Sequence, residues 1–201
     1  MNKRYTTWND YLRDNFGEKV FKVPIDAGFD CPNRDGTVAH GGCTFCSVSG
    51  SGDLINRAHD YQTYLDAVAK LRARGILVCV HLINGLPGET QDMMVENVRR
   101  VVADSDIQGI KLHLLHLMTG TRMQRDFHQG DLQLMAFDDY VNVICDQLEI
   151  IPKEISIHRL TGDAPREMLI GPMWSLKKWE VLSAIDVELE RRNVFQGDKA
   201  C

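Results

Sequence analysis

The chain is 201 residues long, with 44% hydrophobic and 25% charged residues and a formal charge of -5. That length suffices for a domain with a full core, and that composition excludes a disordered or collagen-like chain. The acid excess argues against a global electrostatic footprint for nucleic acid while leaving room for a local basic groove.

The first helix is predicted from Thr7 to Phe16, with Thr7 as N-cap and Gly17 as the left-handed stop. Val20 to Asp26 alternates and reads as a strand, with Pro24 marking an edge or the strand's end. Residues 27–53 form a long glycine-rich irregular stretch, and loops of that length inside domains are usually functional. From Asp60 a helical period places Tyr61, Tyr64, Leu65, Val68 and Leu71 on one face, ending at Gly75. Ile76 to Asn84 is a continuous apolar run, the signature of a strand covered on both faces. The turn Gly85-Leu86-Pro87-Gly88-Glu89 follows. A helix from Thr90 to Ala103 then uses Met94, Val98, Val101 and Val102 as its apolar stripe.

Ile110 to Leu117 reads as a second buried strand. Tyr140, Ile144, Cys145, Leu148 and Ile151 mark a further helix, and Glu154 to His158 a short strand. Ser175 is the expected cap of a last helix carrying Trp179, Leu182, Ile185 and Leu189. Strands alternating with helices indicate βαβ units and a mainly parallel sheet. No apolar run approaches the ~20 residues of a membrane span. The first residues lack an apolar signal region. A cytoplasmic protein without a membrane partner is therefore expected.

Six cysteines in such a chain should be mostly reduced thiols. Three of them cluster as Cys31-x11-Cys43-x2-Cys46 on the glycine-rich loop, whose glycines let the backbone turn tightly around one centre. Three readings stand side by side. The thiols are simply buried; or Cys31, His40, Cys43 and Cys46 form a closed zinc tetrahedron; or the three cysteines hold a [4Fe–4S] cluster with one iron open.

The order of a strand, a glycine-rich loop with Cys43-x-x-Cys46, an aromatic at Phe45 and a later strand-terminal GLPGET resembles the radical S-adenosylmethionine superfamily. GFDCPNRDGTVAHGGCTFCSVSGSGD, KLHLLH, IHRLTGDAPRE and WSLKKWEVLSAIDVELERR narrow this. They resemble the uncharacterised bacterial iron–sulfur proteins akin to the Elongator catalytic subunit. The long first gap in the cysteine spacing fits that branch.

The resemblance implies that Cys31, Cys43 and Cys46 ligate a [4Fe–4S] cluster, whose open iron takes S-adenosyl-L-methionine. One-electron cleavage of the sulfonium would release a 5′-deoxyadenosyl radical that attacks the substrate. Phe45 would shield the cluster, and Gly85, Leu86, Pro87, Gly88 and Glu89 would help hold the cofactor. His158, Arg159 and Asp163, at the end of the last strand, are the candidate substrate contacts. An electron donor such as flavodoxin or ferredoxin is implied; the substrate is unknown, with RNA as the candidate the Elongator branch suggests. The alternatives are a non-catalytic zinc- or cluster-binding module and an inactive, internally deleted variant.

The other singled-out residues have plainer readings. His81, His113 and His116 are ordinary strand histidines, and Arg34 and Asp35 either orient cofactor or pair with each other. Met93, Met94 and Met168 fill core, while Lys177-Lys178 and Arg191-Arg192 form a solvated face.

The sequence departs from the family in one respect. A radical-SAM partial barrel has six βα units of ~30 residues or more each. Only 38 residues separate Cys46 from Gly85, so about two units are missing, with the join near Asp53–Leu54. The expected fold is therefore α/β, an incomplete (β/α) partial barrel with fewer parallel strands and a C-terminal helical extension. Residues 1–119 would form the truncated core with its cluster loop at 27–53. Residues 120–201 would complete it as one compact unit.

Overall fold

The computed structural model describes residues 3–17 and 61–200. The strand expected at Val20–Asp26, the cysteine loop and the join at Asp53–Leu54 lie outside these residues. Helix α1 (Trp8–Phe16) begins where Thr7 and Asp10 form a reciprocal capping box, with 3.2 and 3.0 Å hydrogen bonds. It stops at Gly17, whose φ of 70° is left-handed. Helix α2 (Tyr61–Arg72) buries Tyr64 and Val68, whereas Leu71 at its end is exposed.

Strand β1 (Cys79–Asn84) starts later than its apolar run suggests, because Ile76 and Leu77 are exposed. Helix α3 (Gln91–Asp104) is capped by the Thr90 hydroxyl and is followed by strand β2 (Gly109–Leu114). The single long strand expected at Ile110–Leu117 is in fact broken. Strand β3 (Leu117–Met118) belongs to a separate antiparallel pair with β5 (Leu169–Gly171). Between them lie α4 (Arg122–Gln129), α5 (Phe137–Ile150) and β4 (Ser156–Arg159). A 3-10 turn at Met173–Leu176 precedes α6 (Lys178–Arg192).

The main sheet has order β1-β2-β4 and is parallel throughout, as right-handed βαβ crossovers produce. Thr7 adds one further parallel bridge to Ile157 at the free side of β4. Successive strand residues face opposite sides. Val80, Ile110, Leu112, Leu114 and Ile157 join the main core with Val98, Ile144, Leu148, Ile185 and Leu189 from helices α3, α5 and α6. Each fully buried side chain of this kind contributes ~1.5–3 kcal/mol. A smaller cluster of Leu115, Leu117, Met123 and Leu132 packs on Ile83 and Leu86. The protein is thus a mixed α/β fold built on a reduced parallel sheet.

Several local expectations need correction. Ser175 does not cap α6: its hydroxyl donates to Pro172 O within the 3-10 turn, and Lys177 occupies the cap position. Trp179 is 80% exposed, since Val181, Ile185 and Leu189 make the buried stripe instead. Met94 is buried but Met93, the residue before it in α3, is exposed. Arg192 is not a solvated charge but reaches Asp146, Glu149, Glu188 and Asn142 on two helices. Helix α4 escapes the apolar-stripe reading because its sequence, RMQRDFHQ, has only two large apolar residues.

Candidate functional site

The two faces of the parallel sheet differ in chemistry. Opposite the helix-packed face, the register aligns Cys79 with Gly109, His81 with Lys111 and Ile83 with His113. The rings of His81 and His113 meet edge to face, 4.0 Å apart. A bulge between Ile110 and Lys111 pairs Lys111 with Arg159 and leaves His158 as the extra residue of β4. His158 accordingly stays on the polar side, its Nε2 3.2 Å from the Ser156 hydroxyl and its ring 4.2 Å from that of Trp8. Gly109 is required there, because a Cβ would lie 2.5 Å from His158 Nε2.

Ligands of parallel sheets bind at the carboxyl ends of the strands. At the end of β1, Gly85 and Gly88 adopt φ of 83° and 80°, which glycine tolerates. Glu89 turns back into its own loop. One carboxylate oxygen accepts from the Gly85 and Leu86 amides at 3.1 and 3.0 Å, and the other accepts from Asn97 at 3.0 Å. Burial raises its pKa above the ordinary carboxylate value, and those three hydrogen bonds oppose the shift. Glu89 thereby fixes the turn, leaving Leu86, Pro87 and Gly88 to present it.

At the end of β2, His116 Nε2 lies 3.0 Å from the Ser175 hydroxyl. Its ring packs on Gly162, where a Cβ would sit 2.9 Å from Nδ1. At the end of β4, Asp163 binds Arg159 at 3.5 Å and Lys178 at 3.1 Å. A cavity of about 310 Å³ opens beside it, with Trp8, His158, Arg159, Thr161 and Lys178 among its walls.

His158 and Arg159 lie on the edge strand β4, level with the first half of β2, and Asp163 pairs with Arg159 just beyond that strand, while Gly85–Glu89 follows the end of β1. Cys31, Cys43, Cys46 and Phe45 lie outside the described residues. Among the described residues no group of three or more His, Cys, Asp or Glu could hold a metal ion. Also among them, no helix is long and apolar enough to cross a membrane. Lys111, Lys178 and Trp8 were not singled out as site residues by sequence. Strand alternation through KLHLLH would have placed Lys111 on the same face as His113, but Lys178 and Trp8 arrive from elements distant in the chain.

Residues 107–191 match the Radical_SAM C-terminal domain. The chain is 41% identical to the uncharacterized protein YtqA of Bacillus subtilis, over 97% of this chain and 92% of that protein. The alignment runs 298 positions against 201 residues here, so at least 97 positions have no counterpart in this chain. That exceeds the two βα units expected and is enough for about three. A tRNA uridine(34) acetyltransferase of Methanocaldococcus infernus is 22% identical, covering 58% of this chain and 22% of its own. The solved archaeal Elp3 of Methanocaldococcus infernus, with its N-terminus deleted, superposes with a TM-score of 0.61 at 18% identity. It covers 70% of this chain and 33% of that one, and shows the fold. A parallel sheet with one apolar and one polar face, a matching C-terminal domain and a 41% identical relative lead to one conclusion: the chain belongs to the radical S-adenosylmethionine family, on its Elongator-like branch.

Proposed function

We propose that Cys31, Cys43 and Cys46 would hold a [4Fe–4S] cluster and that S-adenosyl-L-methionine would bind at the carboxyl end of the parallel sheet, beside the Gly85–Glu89 turn. The observation that carries this reading is the sheet's two-sided character. Helices α3, α5 and α6 seal one face with apolar side chains, while the other presents His81, Lys111, His113, His158 and Arg159. Such a polar, charged layer suits a polar, charged cofactor.

When bound, the cluster and S-adenosyl-L-methionine supply reductive cleavage of the sulfonium, chemistry that no protein side chain offers. This chain's residues would do the rest. Glu89 holds the turn in a fixed shape through Gly85 and Leu86, and the backbone of Leu86, Pro87 and Gly88 would help hold the cofactor. Phe45 shields the cluster. His158, Arg159 and Asp163 line the substrate side. RNA is the substrate class supported by the relatives named for tRNA uridine(34), and a flavodoxin or ferredoxin is the electron donor.

The test is anaerobic reconstitution with iron and sulfide, followed by metal, sulfide and visible-absorption measurements. About four irons per chain are expected, lost in Cys43→Ala. Stoichiometric zinc in a colourless protein would overturn the reading. The 97 or more missing positions favour a second reading, a cluster-binding protein without turnover. Adding dithionite and S-adenosyl-L-methionine to the loaded protein separates the two, because only the first produces 5′-deoxyadenosine.

A further inference from the structure

We propose that the cavity between the starts of α1 and α6 and the end of β4 is a binding site for a small organic phosphate. Its volume, about 310 Å³, falls at the small end of ligand pockets, enough for a phosphate with a short organic body. Tyr5, Leu160 and Leu182 supply the apolar wall. The polar groups converge from three separate elements. Arg159 comes from β4, Lys178 from the first residue of α6, and Thr161 from the loop after β4.

Two cations here share one carboxylate. Asp163 contacts Arg159 at 3.5 Å and Lys178 at 3.1 Å, which leaves the cluster with an excess positive charge. Asp163 is itself 56% exposed, so it can give way to an incoming anion at little cost. Lys178 is the first residue of the 15-residue α6 and itself lines the cavity. Thr161 is fully buried behind this wall and closes the cavity from within. An arginine fork and an ammonium that arrive from two separate elements suit the oxygens of a phosphate.

The site shares His158, Arg159 and Asp163 with the substrate side proposed above and rests on that placement, but it needs neither cluster nor S-adenosyl-L-methionine, so binding is tested on the full chain without iron and fails or succeeds independently of cluster assembly. Isothermal titration with glycerol 3-phosphate at fixed ionic strength should show one saturable site. Arg159→Gln and Lys178→Gln should each weaken it at least about tenfold, the loss of one charge-assisted contact. Asp163→Asn, which removes the internal competitor, should tighten it. Circular dichroism melting confirms that these half-exposed substitutions leave the fold intact. Absence of saturable binding, unchanged titrations in both glutamine variants, or acetate binding as tightly as glycerol 3-phosphate would each overturn the proposal.

Discussion

The side-chain amides of Asn84 and Gln147 hydrogen-bond to each other in both directions, at 2.9 and 2.8 Å, joining the last residue of β1 to α5 inside the core. Gln147 also donates to Met94 O of α3 at 2.9 Å, so one fully buried amide ties a strand to two helices. This clamp sits directly beneath the Gly85 turn. Gln147→Ala leaves both polar side-chain atoms of Asn84 unsatisfied and takes the second donor from the Met94 carbonyl, and should cost about 2–4 kcal/mol. Urea unfolding of Gln147→Ala, Asn84→Ala and the double variant should reveal coupling of about 1 kcal/mol or more. Additive losses would show that the two amides act separately.

What could be read from the sequence followed physical regularity. Helices with strong caps and stripes, such as Trp8–Phe16 and Gln91–Asp104, fall within a residue or two of their expected bounds. The parallel strands follow from their apolar runs. What could not be read depended on long-range packing. Nothing local in WSLKKWEVL says that Trp179 faces solvent while Val181 is buried, because that depends on where α5 lies. The break between β2 and β3 likewise answers to β5, more than 50 residues away. The motif turn was visible, but the inward use of the Glu89 carboxylate was not, since it requires the backbone of Gly85 and Leu86 to curl around it.

Glu89 gives the first pH prediction. Burial raises its folded-state pKa above the unfolded value of 4.5. The folded state therefore binds this proton more tightly, and the associated stability is full below pH 4.5 and lost as pH climbs through the folded pKa. A neutral Glu89→Gln side chain can still accept both loop amides with its oxygen, and it does not titrate. The urea midpoint of the wild type relative to Glu89→Gln should fall as pH is raised from about 4 to 7. A difference that grows with pH would contradict the buried-carboxylate account.

Glu188 behaves in the opposite sense. Hydrogen bonds from Arg191, and then from Arg192, push its carboxyl down to about 2 from 4.5. Its contribution is present above pH 4.5 and disappears as pH falls toward about 2. Arg192 matters more widely, since its guanidinium also meets Asp146 at 2.5 Å and the 2% exposed Glu149 at 3.3 Å. Removing it by Arg192→Met strands those acids, with only Lys199 left on Glu149. A loss of about 2–4 kcal/mol is expected, together with a shallower acid limb. Arg192→Lys should recover little, because a single ammonium cannot serve partners on both helices. Full rescue by lysine would reduce the network to simple charge.

The contact between Gly109 and His158 gives a test of the polar face that needs no cofactor. A Cβ at position 109 would lie 2.5 Å from His158 Nε2 and 3.3 Å from Cys79 Sγ, so the imidazole must move. That ring lies tilted 4.2 Å from Trp8, which in turn stacks 5.2 Å from Tyr11. Gly109→Ala should therefore loosen the start of α1 and alter the Trp8 environment, at a cost of about 1–3 kcal/mol from overpacking. Indole fluorescence reads the change directly once Trp174 and Trp179 are replaced by phenylalanine, which leaves Trp8 as the sole indole. His158→Ala in the same background should relieve the clash, so that the double variant is more stable than Gly109→Ala plus the separate cost of His158→Ala predicts. An unshifted emission band in Gly109→Ala would mean that His158 does not transmit the strain, and that α1 is held to β4 by the Thr7–Ile157 bridge alone.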